Sequence, residues 1–131
     1  MTDQSAQDLA ALQGTWAQVG FEENGVADAP DSYEGAMGAL TTIEGNHFSV
    51  RAKDGRLLLE GTFSLDAAPT PKAIDWMDAI GPDAGKRLPA IYRLDGDHFA
   101  FVAADAGLPR PLAFSTEQGQ TMRAFIRRGT E

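Results

Sequence analysis

From residue 13 onward, glycine and proline interrupt the chain every few residues, and the stretches between them are short and alternate apolar with polar side chains. A period of two marks half-buried strands, and the gaps leave no room for the helices of ten or more residues that parallel βαβ units require. Eight stretches carry the pattern: 14–22, 39–44, 47–52, 57–65, 73–79, 88–94, 98–104 and 121–128, with 112–116 as an additional extended piece. Two of the breaks share one chemistry. Ile43-Glu44-Gly45-Asn46-His47-Phe48-Ser49-Val50 resembles Leu94-Asp95-Gly96-Asp97-His98-Phe99-Ala100-Phe101. Glycine supplies a positive φ at such a turn and Asn or Asp tolerates one, so both are read as tight hairpins. The expected fold is all-β: about eight antiparallel strands closing into a barrel whose interior holds side chains or one small ligand.

Two segments fall outside the strand pattern. Residues 1–12 predict a short helix or loose lead-in, with Ala6, Leu9, Ala10 and Leu12 as its apolar stripe. Residues 27–38 predict a short helix or loop across one barrel end, and 81–86 and 105–111 are loops by composition. The domain reading is a lead-in over 1–12 and one barrel over 13–131, a length that buries about two thirds of its unfolded surface.

Composition narrows the partners. The formal charge of −8 repels nucleic acid and anionic membranes, and Arg123-Ala124-Phe125-Ile126-Arg127-Arg128 is the one basic cluster. No apolar run approaches a membrane span, and the first residues lack the basic and apolar regions of a signal peptide. These features predict a cytoplasmic protein without nucleic-acid or membrane partners. The chain has no cysteine, which excludes disulfides and thiolate metal sites. It has no Gly-x-Ser-x-Gly elbow and no glycine-rich phosphate loop before a helix, so no nucleophile and no cofactor is indicated.

The remaining polar residues leave alternatives. His47 and His98 follow equivalent turns. They pair with Asp97 or Glu44 as a metal or acid–base site, or they are exposed turn-flanking residues, and the lack of ligand spacing favours the second reading, with no metal. Asp75 and Trp76 point to opposite faces of one strand, so the interior receives either a carboxylate or an aromatic wall. Arg123, Phe125 and Arg127 alternate with Met122, Ala124 and Ile126, and His47, Ser49 and Arg51 with Phe48, Val50 and Ala52. Mixed faces turned inward would line the cavity with Arg, Tyr and Trp for an anionic amphipathic ligand. The usual arrangement turns them outward. Arg110, between Pro109 and Pro111, either clamps an anion at the barrel mouth or bonds loop carbonyls and holds the mouth shut.

Gly14-Thr15-Trp16 at the start of the first strand resembles the Gly-x-Trp that opens lipocalin barrels. In that family the tryptophan closes the barrel floor and an arginine of the last strand lies across its ring. The resemblance therefore implies a floor built from Trp16 with Arg127 or Arg128. A broader series runs in one order: Leu12-Gln13-Gly14-Thr15-Trp16, Gly61-Thr62-Phe63, Pro71-Lys72-Ala73-Ile74-Asp75, Ile91-Tyr92 with Leu94-Asp95-Gly96-Asp97, and Arg110-Pro111 with Phe114. It resembles a family of small bacterial lipocalin-like domains of unknown function, expanded in planctomycetes. That family implies the barrel and brings no activity with it, and many of its members look exported.

The function expected from these readings is non-catalytic binding of a small apolar or amphipathic molecule, anionic ones included, in or at the mouth of the barrel. Trp76, Tyr92, Arg110, Arg51 and Arg123 are its candidate contacts. The alternatives are a small barrel enzyme, an isomerase, cyclase or hydrolase using an Asp/Arg or Tyr/Arg pair, and a protein-interaction domain with a filled core. A buried ionisable pair in a cavity would mark the enzyme, and an exposed apolar patch without a cavity would mark the interaction domain.

Overall fold

A computed structural model describes residues 3–27, 39–52, 54–81 and 84–128. Among the described residues one helix, α1 (Asp3–Leu12), precedes nine strands: β1 (Gly14–Glu23), β2 (Val26–Ala27), β3 (Leu40–Glu44), β4 (His47–Arg51), β5 (Leu57–Asp66), β6 (Lys72–Asp78), β7 (Arg87–Asp95), β8 (His98–Ala104) and β9 (Gln120–Arg127). All neighbours pair antiparallel in the order β2-β1-β3-β4-β5-β6-β7-β8-β9, and β9 pairs back onto β1. The result is a closed eight-stranded up-and-down barrel, with β2 as a short appendix to the end of β1. Closure removes the edges that an open sheet would expose. No described helix is long and apolar enough to cross a membrane.

The two similar turns are two-residue hairpins in which Glu44 pairs His47 and Asp95 pairs His98. Gly45 and Gly96 have φ of 62° and 58°, while Asn46 and Asp97 do not have positive φ, as a type II′ turn requires. Asn24-Gly25 makes a third hairpin, with φ of 52° and 84°, and it generates β2. The expected helix or loop over 27–38 begins in β2 at Ala27, and its remainder lies outside the described residues. Residues 112–116 are not a strand. They belong to a strap described below.

A β-bulge between Gln18 and Gly20 sets the face of β1. An extra residue in one strand shifts the alternation by one. Trp16 and Gln18 therefore face inward before the bulge, and Phe21 and Glu23 after it, while Val19 is exposed. The core consists of Leu12, Trp16, Ile43, Phe48, Leu59, Phe63, Ile74, Trp76, Ala90, Tyr92, Phe99 and Phe125.

Helix α1 closes one barrel end with Leu9 and Leu12 of the expected apolar stripe, but not with its two alanines. Ser5, Asp8 and Leu12 are buried while Ala6 and Ala10 are exposed. Two polar groups displace the alanines because the barrel supplies their partners. Ala67 N donates to Ser5 Oγ at 2.8 Å. Asp8 Oδ2 accepts from Tyr92 Oη at 2.6 Å and from Lys72 Nζ at 3.0 Å, and Gln4 donates to Oδ1 at 2.8 Å. Gln13 ties the end of the helix to the β3–β4 turn, donating to Gly45 O and accepting from Gly45 N.

This network makes stability depend on pH at both extremes. Burial raises the Asp8 pKa, but the hydrogen bonds from Tyr92, Lys72 and Gln4 and the Lys72 charge outweigh it, so the carboxyl sits below its ordinary value. A depressed carboxyl contributes stability above its unfolded pKa and loses it as pH falls through the folded value, a window that opens near about pH 4. Burial, then the Asp8 hydrogen bond and charge, push the Tyr92 phenol far above its ordinary range. Its contribution is complete below about pH 10 and declines above that. Asp8→Asn should therefore flatten the acid limb of a plot of denaturant midpoint against pH, and Tyr92→Phe the alkaline limb. Unchanged limbs in both variants would exclude the pair from holding the helix.

Candidate functional site

At the floor, Trp16 is fully buried and its Nε1 donates to Leu12 O at 2.8 Å. Of the two terminal arginines, Arg127 lies over the indole, with Cζ 4.3 Å from the ring centroid. Its Nη1 donates to Gln13 O at 2.8 Å, Nη2 to Ala11 O, and Nε pairs with Asp97 Oδ1 at 3.2 Å. The guanidinium thus satisfies carbonyls at the end of α1 that the helix itself leaves open. Gly14 is the close neighbour of this arrangement. Its φ is 119°, and a Cβ there would meet Arg127 Nη1 at 3.3 Å. Arg128 instead uses its backbone N–H, donating to Thr15 O at 2.8 Å, and its side chain is exposed.

Above this floor the interior holds a cavity of about 200 Å³. Its wall carries Trp16, Phe48, Trp76, Phe99, Phe101 and Phe125, with Ile43, Val50, Leu59 and Leu88 between them. The rings meet as a continuous set: Phe48 lies edge-on to Trp76 at 5.1 Å, Trp76 is tilted on Phe101 at 4.8 Å, and Phe99 stacks on Phe125 at 5.6 Å. Trp76 is 6 % exposed, and its Nε1–H is buried without an acceptor among the described residues. A buried indole N–H normally has one. Toward the other end the wall turns polar with Gln18, Glu23, Thr41, Asp78, Asp105, Thr121 and Arg123. Arg123 Nη1 donates to Gln18 Oε1 at 3.1 Å and its Cζ sits 4.7 Å from the Phe21 ring centroid.

Register sorts the sequence candidates. On β6, Trp76 faces the cavity and Asp75 faces outward, so the aromatic alternative holds. On β4, Phe48 and Val50 face inward and Arg51 is exposed, donating to Gly55 O at 3.1 Å. On β9 the mixed face is the inner one, against the usual arrangement, and Arg123 and Phe125 line the cavity while Ile126 is exposed. The antiparallel closure onto β1 forces this, because Phe125 pairs Gln18 and Arg123 pairs Phe21 on a shared face. Tyr92 is buried at the floor on Asp8 and does not line the cavity.

Arg110 lies on the outside of the barrel. Its Nη1 donates to Ala90 O at 2.8 Å and Ile74 O at 3.2 Å. Its Nη2 forms an ion pair with Asp75 Oδ1 at 2.8 Å, though without hydrogen-bond alignment, while Arg87 takes Oδ2 at 3.0 Å. Arg93 covers the Phe114 ring at 4.7 Å and Pro111 is fully buried. Residues 110–114 thus form a strap on the outer wall of β6 and β7, where Ala73 and Ile91 face outward and are nevertheless buried, as is Val102 beside them on β8. Further along, Glu22 fastens the strap by accepting from Thr116 N at 2.7 Å and Thr116 Oγ1 at 2.6 Å, and the hydroxyl and then the backbone bond hold the Glu22 pKa below its ordinary value.

His47 and His98 are both exposed and sit on strands on opposite sides of the barrel. Among the described residues no three His, Asp or Glu side chains converge as a metal-holding group. What sequence reasoning missed was the polar mouth: Gln18, Glu23, Asp78 and Asp105. The Asn24-Gly25 turn was the available signal for Glu23, since it fixes where β1 ends, but the bulge that turns Glu23 inward has no sequence mark. Comparison of the chain with protein-family models, with curated proteins and with solved structures found no match.

Proposed function

We propose that the barrel is a non-catalytic binding module that holds a small apolar or amphipathic molecule in its interior. The observation that carries this reading is the aromatic-walled cavity. Interiors are ordinarily packed to crystal density with few voids larger than a water, and a void lined by apolar side chains stays dry and accepts apolar guests. A space of about 200 Å³ exceeds the engineered cavity of about 150 Å³ that takes up benzene. The lipocalin-type reading of Gly14-Thr15-Trp16 belongs to the same proposal.

Calorimetric titration with indole tests it. The wild type should bind in the micromolar range or weaker, as suits a ligand of about ten heavy atoms. Ala103→Phe, which places a ring into the cavity wall, should weaken binding about tenfold or more while retaining a cooperative melt. Equal binding of indole by wild type and a folded Ala103→Phe would put the ligand elsewhere and end the interior reading.

A further inference from the structure

We infer that the occupant of this cavity is a compact one- or two-ring aromatic molecule whose polar end is neutral or cationic, entering ring first, and that straight-chain carboxylates are excluded. The inference rests on the interior-binding reading above and specifies its ligand class.

Three independent features carry it. The first is volume. About 200 Å³ lies below the usual range of about 300–1,000 Å³ for drug-sized ligands, so it accommodates one or two rings and few substituents. The second is wall chemistry. The wall carries six aromatic side chains with Ile43, and its charged members come from the strand ends away from Trp16. Flat aromatic surfaces at ring-to-ring distances of 4.8–6.1 Å offer stacking and edge contacts that reward a planar guest over a flexible chain. A chain would also lose rotamer freedom on entering, which a rigid ring does not.

The third feature is the distribution of charge. Among the described lining residues, Glu23, Asp78 and Asp105 stand against the single cation Arg123. They come from three places on the rim: the end of β1, the end of β6 and the residue after β8. In the barrel order β6 lies across from β1, so Asp78, buried at 5 % exposure, lines the cavity from the wall opposite Glu23. A ligand whose ring occupies the aromatic end leaves its polar end at this rim. A carboxylate there meets like charges, whereas an ammonium meets opposite ones with aromatic faces beneath it. Arg123 is committed to Gln18 and to the Phe21 ring, which reduces its value as an anion clamp. Arg51 and Arg110, the other arginines with a claim on an anion, are bonded to backbone carbonyls outside the cavity.

The test is calorimetry with four probes on the full chain: indole, phenethylamine, phenylacetate and decanoate. Indole should bind, phenethylamine should exceed phenylacetate by about tenfold or more, and decanoate should give no saturable heat. In the double variant Glu23→Gln, Asp105→Asn the preference for amine over carboxylate, read as the ratio of the two affinities, should shrink about three- to tenfold. Indole binding accompanied by equal or tighter binding of phenylacetate or decanoate would overturn the ligand class and leave the interior site standing. Failure of all four probes would overturn the interior site itself, and this inference with it. An unaltered amine preference in a folded double variant would remove the rim carboxylates from recognition.

Discussion

Replacing Trp16 by alanine should lower the unfolding free energy by about 3–5 kcal/mol, as truncation of a large core aromatic does. The side chain has no exposed surface and serves three contacts at once. Its ring supports Phe99 at 5.8 Å, its Nε1 caps Leu12 O, and its outer face carries Arg127. Removing it leaves a void that cannot collapse, because Leu12 is fixed by the helix and Phe99 by its strand. It also strips the guanidinium of its seat, so the carbonyls of Ala11 and Gln13 lose a positioned donor. Arg127→Met should cost about 1–2 kcal/mol, since it removes a cation–π contact and carbonyl bonds but keeps the packing. Urea unfolding of both variants checks the ranking. A Trp16→Ala protein with the midpoint of the wild type would mean that the floor is not closed by this residue.

Gly61→Ala should be nearly as damaging, although it adds only one methyl group. A Cβ at this position would lie 2.1 Å from Met77 O and 3.0 Å from Asp78 Cα, both backbone atoms of the paired strand. No rotamer change relieves such an overlap, so β5 and β6 must separate locally. The Gly61↔Asp78 pairing and the adjoining bond from Ala79 N to Glu60 O, 2.8 Å long, are the first affected. Overpacking of about 1–3 kcal/mol plus lost ladder bonds of about 0.5–1.5 kcal/mol each gives a total of about 2–5 kcal/mol. Because Trp76 and Asp78 stand on the displaced strand and line the cavity, indole binding should fall together with stability. A melt and an indole affinity equal to those of the wild type would show that the two strands can part at this point without consequence.

The barrel was legible because its signals are local. Short runs of period two and Gly-Asn or Gly-Asp turns depend on neighbouring residues alone, and each of the eight expected strands corresponds to one observed. Strand β2 was not expected, although Asn24-Gly25 is the strongest short hairpin signal, because it lies beside a segment read as helix or loop. The helix face was harder. Ser5 and Asp8 look like surface residues until Ala67, Tyr92 and Lys72, all more than sixty positions away, arrive to satisfy them. Arg110 stands 36 and 20 positions from Ile74 and Ala90, whose carbonyls it bonds, and no local pattern distinguishes a strap on the outer wall from a clamp at the mouth.

The sequence by itself determined that this chain makes antiparallel strands, the eight that close the barrel and most of the turns between them, whereas the placing of Trp16 beside a terminal arginine came from the resemblance of Gly14-Thr15-Trp16 to a lipocalin opening. Tertiary structure alone decided which faces look inward. In a strand, one residue of slip exchanges every side chain between interior and solvent, so facing is set by pairing and bulges. The bulge at Val19 and the closure of β9 onto β1 turned Glu23, Arg123 and Phe125 inward, while β6 pairing sent Asp75 out to Arg110 and Trp76 in to the cavity. The cavity, its aromatic end and its acidic rim are properties of those registers, which arise from contacts between residues as much as 111 positions apart, as Trp16 and Arg127 are.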